Sequence, residues 1–361
     1  MTTPEHPDPE ATARVRVTGG LRPRGRRWLA GVALLVAIAV VGYAVAASHL
    51  GSQAPRTSAP HRPVRALAEF AVPTAASEPF DITRGPDGNL WFTEFDGNKI
   101  GRVTPSGTVS EFAVPTAGAG PYMIAPGADG NLWFSEYYAS KIGRITPQGV
   151  VTEFALPDLN SGAQGVAPGP DGNLWFTVYP GKVGFITPGG AITEFALPDA
   201  GAAPFAIAAG HDGNLWFTYS AEASGQNANR IGRVTPQGTV TNFALPTSGS
   251  NLDGIAAGPD HNVWFVDYAN DLIGRITPSG SVREFPDPSR YNSLNAIALG
   301  PDGDLWFTEQ GDTIGRITPA GGLTHISLLM AGSQPNGITA GPGTTLWFTE
   351  MGTDRIGRIS V

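Results

Sequence analysis

A short apolar phrase built around tryptophan recurs seven times along the chain. The phrases read Leu-Trp-Phe or Val-Trp-Phe, and their tryptophans are Trp91, Trp133, Trp175, Trp216, Trp264, Trp306 and Trp347. The spacings of 42, 42, 41, 48, 42 and 41 residues match the period of about 40–50 residues that is typical of β-propellers and related repeat arrays. The pattern therefore predicts a single repeat domain.

Hydrophobic stretches and turn-forming residues alternate within each repeat and predict four short strands. In the first repeat the strands cover residues 80–83, 90–94, 99–104 and 108–114. The stretches at 85–89 and 105–107 are rich in Pro and Gly and supply turns, because proline presets φ and glycine accepts positive φ. Four short antiparallel strands form the blade of a propeller.

The second strand of each repeat is apolar on both faces. Successive side chains of a strand point to opposite faces, so Leu90 and Phe92 point away from Trp91. A single sheet cannot cover both of its own faces, but neighbouring blades can. We therefore expect the tryptophans to fill the gaps between blades and to take no part in chemistry.

The two ends of the repeat region predict a closed ring. The last repeat stops at residues 358–361 without a fourth strand, and the matching sequence Ala-Glu-Phe-Ala-Val-Pro lies at residues 68–73, before the first repeat. An N-terminal strand that completes the last blade would remove two open sheet edges. The predicted fold is all-β: a seven-bladed β-propeller with four-stranded blades over residues 66–361.

Composition and charge exclude several classes of function. The chain contains no cysteine, so disulfides, a cysteine nucleophile and zinc–thiolate sites are excluded. Residues 1–65 carry a net charge of +6, and residues 66–361 carry −14. An acidic domain argues against nucleic acid as a partner. We expect the propeller to be a monomer.

An uncharged run of 20 residues at 28–47 follows four arginines within residues 22–27. The run is long enough to cross a bilayer as a helix, and the arginines would keep residues 1–27 in the cytoplasm. A small-x-small pattern at 44–46 leaves a cleaved signal segment as the alternative. In both cases we expect the propeller outside the cytoplasm, anchored to the cell membrane or secreted, after a Pro/Ser-rich linker at 48–65.

Acidic residues recur at the end of the second strand. They are Glu94, Glu136, Asp267, Glu309 and Glu350. Most third strands carry an arginine, such as Arg102. One interpretation is a divalent cation, which favours oxygen ligands and would be held by Glu309 and Glu350. The other is ion pairing within or between blades, and the repetition favours it.

One position differs from blade to blade, so it is the place to look for function. It lies two residues before the Ile or Val of the first strand, which is the innermost strand of a propeller blade. The loop into this strand opens on the same face as the loop between the second and third strands. The seven residues should therefore ring one mouth of the channel. They are Phe80, Tyr122, Gln164, Phe205, Asp253, Asn295 and Asn336.

The residues of this ring are aromatic in blades one, two and four and polar in the others. An aromatic side opposite an amide and carboxylate side suits a ligand with an apolar face and hydrogen-bonding groups. The alternative is that these side chains only plug the channel. A longer loop at 220–229 in blade four belongs to the same face and could cover a ligand.

Three phrases resemble the virginiamycin B lyase (streptogramin lyase) family, and the resemblance covers residues 66–361. They are Gly-Pro-Asp-Gly-Asn-Leu-Trp-Phe-Thr-Glu, Lys-Ile-Gly-Arg-Ile-Thr-Pro and Thr-Glu-Phe-Ala-Leu-Pro. The resemblance implies a seven-bladed propeller. It also implies a Mg²⁺-dependent carbon–oxygen lyase, which opens the cyclic depsipeptides known as type B streptogramins by elimination.

The residues that the family uses for catalysis are replaced in this chain. The resemblance implies a histidine at the mouth position of blades six and seven, a glutamate two residues before the second histidine, and a magnesium-binding glutamate after the blade-seven Trp-Phe pair. The chain has Asn295, Asn336, Gln334 and Met351 at these places, with Glu350 beside the last. An amide takes up no proton near neutral pH and cannot act as a general base.

These replacements favour binding over catalysis. We expect an extracytoplasmic propeller that binds a small molecule or peptide at the mouth, with Mg²⁺ implied only by the resemblance. One alternative is an active lyase that uses Asp253 as base and Glu350 or Glu309 to hold Mg²⁺. Another is a cell-envelope platform that binds proteins through its outer rim. Similarity of fold does not by itself establish activity.

Overall fold

The computed structural model describes residues 67–220, 229–289 and 293–361. These residues form 28 strands in seven four-stranded sheets, and no helix is present among them. The predicted all-β, seven-bladed propeller is therefore confirmed. No helix long and apolar enough to cross a membrane is found in the described ranges. The predicted segments 1–27, 28–47 and 48–65 lie outside these ranges, as does most of the loop at 220–229.

Each blade is an antiparallel sheet whose strands follow the chain from the channel outwards. Blade one contains β2 (Pro79–Arg84), β3 (Leu90–Glu94), β4 (Lys99–Val103) and β5 (Val109–Ala113). Blade two contains β6 (Pro121–Pro126), β7 (Leu132–Glu136), β8 (Lys141–Ile145) and β9 (Val151–Ala155). Blade three contains β10 (Gly162–Pro168), β11 (Leu174–Tyr179), β12 (Lys182–Ile186) and β13 (Ile192–Ala196). Blade four contains β14 (Pro204–Ala209), β15 (Leu215–Tyr219), β16 (Arg230–Val234) and β17 (Val240–Ala244).

The remaining three blades have the same order, and the last one takes its outer strand from the start of the domain. Blade five contains β18 (Leu252–Ala257), β19 (Val263–Asp267), β20 (Leu272–Ile276) and β21 (Val282–Pro286). Blade six contains β22 (Leu294–Leu299), β23 (Leu305–Glu309), β24 (Thr313–Ile317) and β25 (Leu323–Ser327). Blade seven contains β26 (Pro335–Ala340), β27 (Thr345–Glu350), β28 (Arg355–Ser360) and β1 (Leu67–Ala71).

The ring is closed by β1, as the sequence predicts. This strand pairs antiparallel with β28, and Phe70 lies opposite Ile356. A hydrogen bond of 2.9 Å from the Val72 N–H to the Asp354 carbonyl continues the contact. The Arg358 guanidinium then reaches blade one and donates to the Pro105 carbonyl at 2.7 Å. The first and last blades are thus joined by the main chain and by side chains.

The tryptophans fill the space between blades. Trp91 is fully buried, stacks on Phe112 at 5.5 Å between ring centroids, and packs in one cluster with apolar residues of blade two. Its Nε1–H donates to the Asp87 carboxylate in the turn before β3 at 3.0 Å. The Arg102 guanidinium lies 5.3 Å from the Trp91 ring and donates to the Pro147 carbonyl of the next blade. Four more of the repeated arginines donate to the next blade in this way; they are Arg144, Arg233, Arg275 and Arg358. Arg316 instead pairs with Asp304 of its own blade. These contacts do not involve the acids at the ends of the second strands.

Every first strand contains a β-bulge at the mouth. In blade one the register shifts between Pro79 and Ile82, so Phe80 and Asp81 together lie opposite Thr93. The Thr93 hydroxyl accepts the Asp81 N–H at 3.0 Å and donates to the Tyr122 carbonyl of blade two at 2.7 Å. The hydroxyls that link the other blades in the same way belong to Ser135, Thr177, Thr218, Thr308 and Thr349.

The bulges matter for function because a bulge re-aims the side chains of its strand. In blade one both bulge residues, Phe80 and Asp81, line the channel cavity, and the hydroxyl links fix the position of each bulge relative to the next blade. Blade five is different, since Val266 stands in place of the hydroxyl residue. Hydroxyl links therefore tie neighbouring first strands together at six of the seven blade junctions.

Candidate functional site

A cavity of about 140 Å³ lies in the central channel, and the sequence predicts that seven mouth residues surround it. Four of the seven line it, and the remaining three do not. The four are Phe80, Asp253, Asn295 and Asn336. The channel is therefore neither fully plugged nor wide, and its volume holds a small chemical group rather than a whole drug-sized ligand, which needs about 300–1,000 Å³.

The two asparagines are engaged in hydrogen bonds between blades. The Asn295 Nδ2–H donates to the Pro335 carbonyl at 3.0 Å, and the Asn336 Nδ2–H donates to the Phe80 carbonyl at 3.1 Å. Asn295 is only 5% exposed. These amides fix the cavity wall and leave their own carbonyl oxygens as acceptors, so they can orient a ligand but cannot remove a proton from it.

The aromatic side of the mouth is larger than the sequence position alone suggests. Phe80 stacks on Tyr122 at 4.2 Å between ring centroids, and Phe205 meets Tyr122 edge-on at 6.0 Å. Phe95 lies within 6.1 Å of Phe80 and 5.6 Å of Tyr122. These rings form a contiguous aromatic cluster, and Phe80 is the member of the cluster that lines the cavity.

Two further tyrosines extend this surface outwards. Tyr137 lies 5.6 Å from Tyr122, and Tyr138 lies 5.4 Å from Phe95 between ring centroids. Tyr138 is 47% exposed. Sequence reasoning missed them and Phe95, although all three follow the acid at the end of a second strand and so belong to the loops of the mouth face. We call the six rings the aromatic platform; they are Phe80, Phe95, Tyr122, Tyr137, Tyr138 and Phe205.

Gln164 belongs to the wall behind the mouth rather than to the cavity. Its side chain is 6% exposed, and its main-chain carbonyl accepts the Ser135 hydroxyl of blade two. Its Oε1 atom accepts no hydrogen bond from the described residues.

Asp81 is a second carboxylate of the cavity, beside Asp253, and sequence reasoning did not single it out. It is the second residue of the blade-one bulge. Its carboxylate accepts the Ile82 N–H at 2.8 Å and the Ile124 N–H of blade two at 2.9 Å. Burial raises the pKa of Asp81 to about 6, and this effect exceeds the lowering of the pKa by the two hydrogen bonds.

Once the bulge is known, the sequence itself distinguishes Asp81 from the equivalent residues of the other blades. The same bulge position holds uncharged residues in all other blades, so Asp81 is the only titratable group of that ring. The others are Met123, Gly165, Ala206, Gly254, Ala296 and Gly337.

The acids at the ends of the second strands are buried between blades and do not reach the cavity. Glu94 and Glu136 are fully buried, and neither carboxylate accepts a hydrogen bond from the described residues. Burial, strengthened by a nearby glutamate, raises the pKa of each to about 8. Burial and Glu69 raise the pKa of Glu350 to about 7. The carboxyl groups of Glu94 and Glu136 are therefore held largely as neutral acids near pH 7.

The two predicted metal ligands have different neighbours. Glu309 lies 3.1 Å from His325 Nε2, and Glu350 accepts the Thr353 hydroxyl at 3.1 Å. Met351, where the resemblance implies a magnesium-binding glutamate, offers a thioether instead of the oxygen that Mg²⁺ favours. The adjacent Glu350 is fully buried. The residues present therefore do not fit a magnesium ion held in the manner that the resemblance implies.

Comparison with known proteins identifies the family. The family model described as the virginiamycin B lyase family matches residues 64–226 and 222–361. A virginiamycin B lyase from Staphylococcus aureus is 36% identical, with a TM-score of 0.76, and the match covers 82% of this chain and 99% of that chain. A streptogramin B lyase has the same identity and TM-score over 82% of this chain and 97% of its own.

A third similar structure carries a ligand. It is a catalytically inactive histidine-to-alanine variant of the Staphylococcus aureus enzyme with quinupristin, 37% identical over 82% of this chain and 99% of that chain, with a TM-score of 0.76. The resemblance drawn from the repeated phrases is thus confirmed over every blade. The chain belongs to the virginiamycin B lyase family.

Proposed function

We propose that this protein binds a small molecule or peptide at the channel mouth without performing the family's elimination. The proposal rests on the residue type and the hydrogen bonds of Asn295 and Asn336. Both stand where the family resemblance implies histidines, and both use their amide N–H groups to bridge blades. The positions keep their hydrogen-bonding role and have lost the capacity to exchange a proton.

The shape of the mouth defines the kind of ligand. The cavity of about 140 Å³ admits a small polar group, and the asparagine carbonyls and two carboxylates can bind its donors. The aromatic platform lies beside it and suits a flat or apolar portion of the ligand. A ligand of this kind would seat its bulk on the platform and insert one polar group into the channel.

A second candidate, an active lyase with a different base, is favoured by one observation. Asp81 and Asp253 both line the cavity, and the pKa of Asp81 is raised to about 6, closer to the range in which a carboxylate can serve as a general base near neutral pH. Turnover that disappears in both Asp81→Asn and Asp253→Asn would favour this candidate.

The location outside the cytoplasm is part of the proposal and rests on residues 22–47 of the sequence. Protease added to intact cells should degrade the propeller if residues 28–47 anchor it with the domain outside. A protected propeller in intact cells would contradict this orientation.

An envelope platform is less supported, because Tyr138 is the only large aromatic among the strongly exposed hydrophobic residues of the described ranges, and it belongs to the mouth.

Removing the mouth contacts should weaken binding. We expect Tyr122→Ala combined with Asn295→Ala to raise the Kd for a type B streptogramin by about 30-fold or more, since a buried aromatic at the centre of an interface is worth about 2 kcal/mol. Isothermal titration of the full chain measures this. Tyr138→Ala tests the platform with less risk to folding, because that ring is 47% exposed.

The matched control lies on the opposite face. Val150 is 61% exposed in the turn between β8 and β9, so Val150→Ala should leave the Kd unchanged. Unchanged affinity in the double variant for every ligand found by screening would show that the mouth assignment is wrong.

A further inference from the structure

Three side chains depart from the repeat pattern together, in the space between blades five and six. Asp287 follows β21, Thr313 begins β24, and His325 lies in the middle of β25. Two of them, Asp287 and His325, meet the Glu309 carboxylate at the end of β23. None of these residues belongs to the channel mouth.

Asp287 occupies a position that is aliphatic in the six other blades. Its N–H donates to the Asp271 carbonyl at 2.9 Å, and the same inter-loop hydrogen bond identifies the equivalent residues. They are Val72, Val114, Leu156, Leu197, Leu245 and Leu328. The Asp287 side chain has no exposed surface. Burial of a carboxylate is costly unless it is compensated, and the other blades show that an aliphatic residue is sufficient for the architecture.

His325 replaces a glutamate, and Thr313 replaces a lysine. In blades one, two and three a lysine at the start of the third strand pairs with a glutamate of the fourth strand at 2.7–2.9 Å; the pairs are Lys99–Glu111, Lys141–Glu153 and Lys182–Glu194. Strand register places His325 at the glutamate position and Thr313 at the lysine position. Blade six has therefore exchanged an ion pair for an imidazole.

The geometry of the cluster suits metal coordination. His325 Nε2 lies 3.1 Å from Asp287 Oδ1 and 3.1 Å from Glu309 Oε1, and one ligand atom from each residue lies within 4.8 Å of the others. Two ligands of a tetrahedral zinc ion with bonds of about 2.0–2.2 Å are about 3.3–3.5 Å apart. The two carboxylates are fully buried, and the His325 side chain is 20% exposed.

We propose that Asp287, Glu309 and His325 form a binding site for a divalent transition-metal ion, with Zn²⁺ as the best match. An imidazole nitrogen with two carboxylates suits this class of ion, whereas Mg²⁺ and Ca²⁺ favour oxygen ligands throughout. A divalent ion also compensates two buried carboxylates, which accounts for a carboxylate at the otherwise aliphatic position of Asp287. The competing explanation is a protonated His325 held between the two acids, in line with a pKa that its hydrogen bonds to Asp287 and Glu309 raise to about 10.

Metal content and thermal stability of the full chain separate the two explanations. After incubation with ZnCl₂ and dialysis, we expect one Zn²⁺ per chain, and a Tm that is higher by about 4–8 °C at a hundredfold excess over Kd. MgCl₂ should give neither effect. Absence of stoichiometric Zn²⁺ together with an unchanged Tm would overturn the site and leave the ion-paired histidine.

Two variants restore the repeat pattern and so preserve folding. Thr313→Lys with His325→Glu rebuilds the ion pair of blades one to three, and Asp287→Leu restores the aliphatic residue. Both should remain folded and lose the zinc-dependent rise in Tm. His211 provides the control for non-specific zinc binding, because its ring lies 4.8 Å from that of His261. His211→Ala should therefore show the same zinc-dependent rise in Tm as the unmodified chain. Retention of the zinc effect in the double variant would contradict the assignment. These results are independent of ligand binding at the mouth.

Discussion

Replacement of Trp216 by alanine is expected to destabilise the propeller by about 3–5 kcal/mol, the usual cost of deleting a fully buried large aromatic side chain. Trp216 has no exposed surface, stacks on Phe243 at 5.3 Å and packs in one cluster with Ile255 and Phe265 of blade five. Its loss would leave a cavity at the junction of two blades, where neither sheet can collapse independently. Urea denaturation followed by tryptophan fluorescence and circular dichroism measures the change.

A solvent-exposed aromatic residue provides the comparison. Tyr138→Ala removes a ring that is 47% exposed and should cost less than about 1 kcal/mol, in the range of ordinary surface substitutions. If the two variants lost similar amounts of stability, the tryptophans would not be the elements that hold neighbouring blades together.

Replacement of Glu136 by glutamine is expected to stabilise the propeller near neutral pH by about 1–3 kcal/mol. Burial and Glu153 raise the pKa of Glu136 to about 8, above the ordinary value of about 4.5. The folded state therefore holds a proton that the unfolded state releases. Stability from this group is fully present below about pH 4.5 and falls as the pH rises through about 8. A glutamine does not titrate, so the difference between variant and unmodified chain should grow from near zero at pH 4 to its maximum at pH 8.

The neighbouring Glu153 is the matched control with the opposite sign. Its carboxylate accepts a 2.8 Å ion pair from Lys141 and two hydrogen bonds from Thr116, and these contacts lower its pKa. Glu153→Gln should cost up to about 1 kcal/mol at pH 7, because the contribution of such a group is present above its unfolded pKa and lost at low pH. Thermal unfolding of both variants between pH 4 and pH 8 tests the pair. A destabilising Glu136→Gln at pH 8 would show that this carboxyl group is ionised and satisfied in the folded protein.

The ring architecture was predictable because it depends on local, repeated signals. The tryptophan period predicts the number of blades, and the Pro-Asp-Gly turns predict the strands within each blade. The displaced Glu-Phe-Ala strand predicts ring closure, and β1 pairs with β28 as expected. The same repetition located Phe80, Asp253, Asn295 and Asn336 at the cavity. A structurally equivalent position can be located from sequence when the repeats align without insertions.

The rest of the mouth depends on deviations from regular strands. Asp81 enters the cavity because a bulge places two consecutive residues opposite Thr93, whereas strict alternation would turn it away. Phe95 and Tyr138 lie in loops, and the contacts of Phe95 with Tyr122 and Tyr138 follow from the packing of blade one against blade two. The departure at Asp287 is visible only when equivalent main-chain hydrogen bonds align it with aliphatic residues of the other blades.

The central claim is that the mouth binds a ligand and leaves it chemically unchanged. The most direct test is a mass-spectrometric time course of a type B streptogramin incubated with the purified full chain and Mg²⁺. A binding propeller should return the depsipeptide with its ring intact, or open it at least ~10²–10⁴-fold more slowly than a lyase member of the family under the same conditions, since it lacks the general base. Rapid linearisation that disappears in Asp253→Asn would contradict the claim and identify an active lyase.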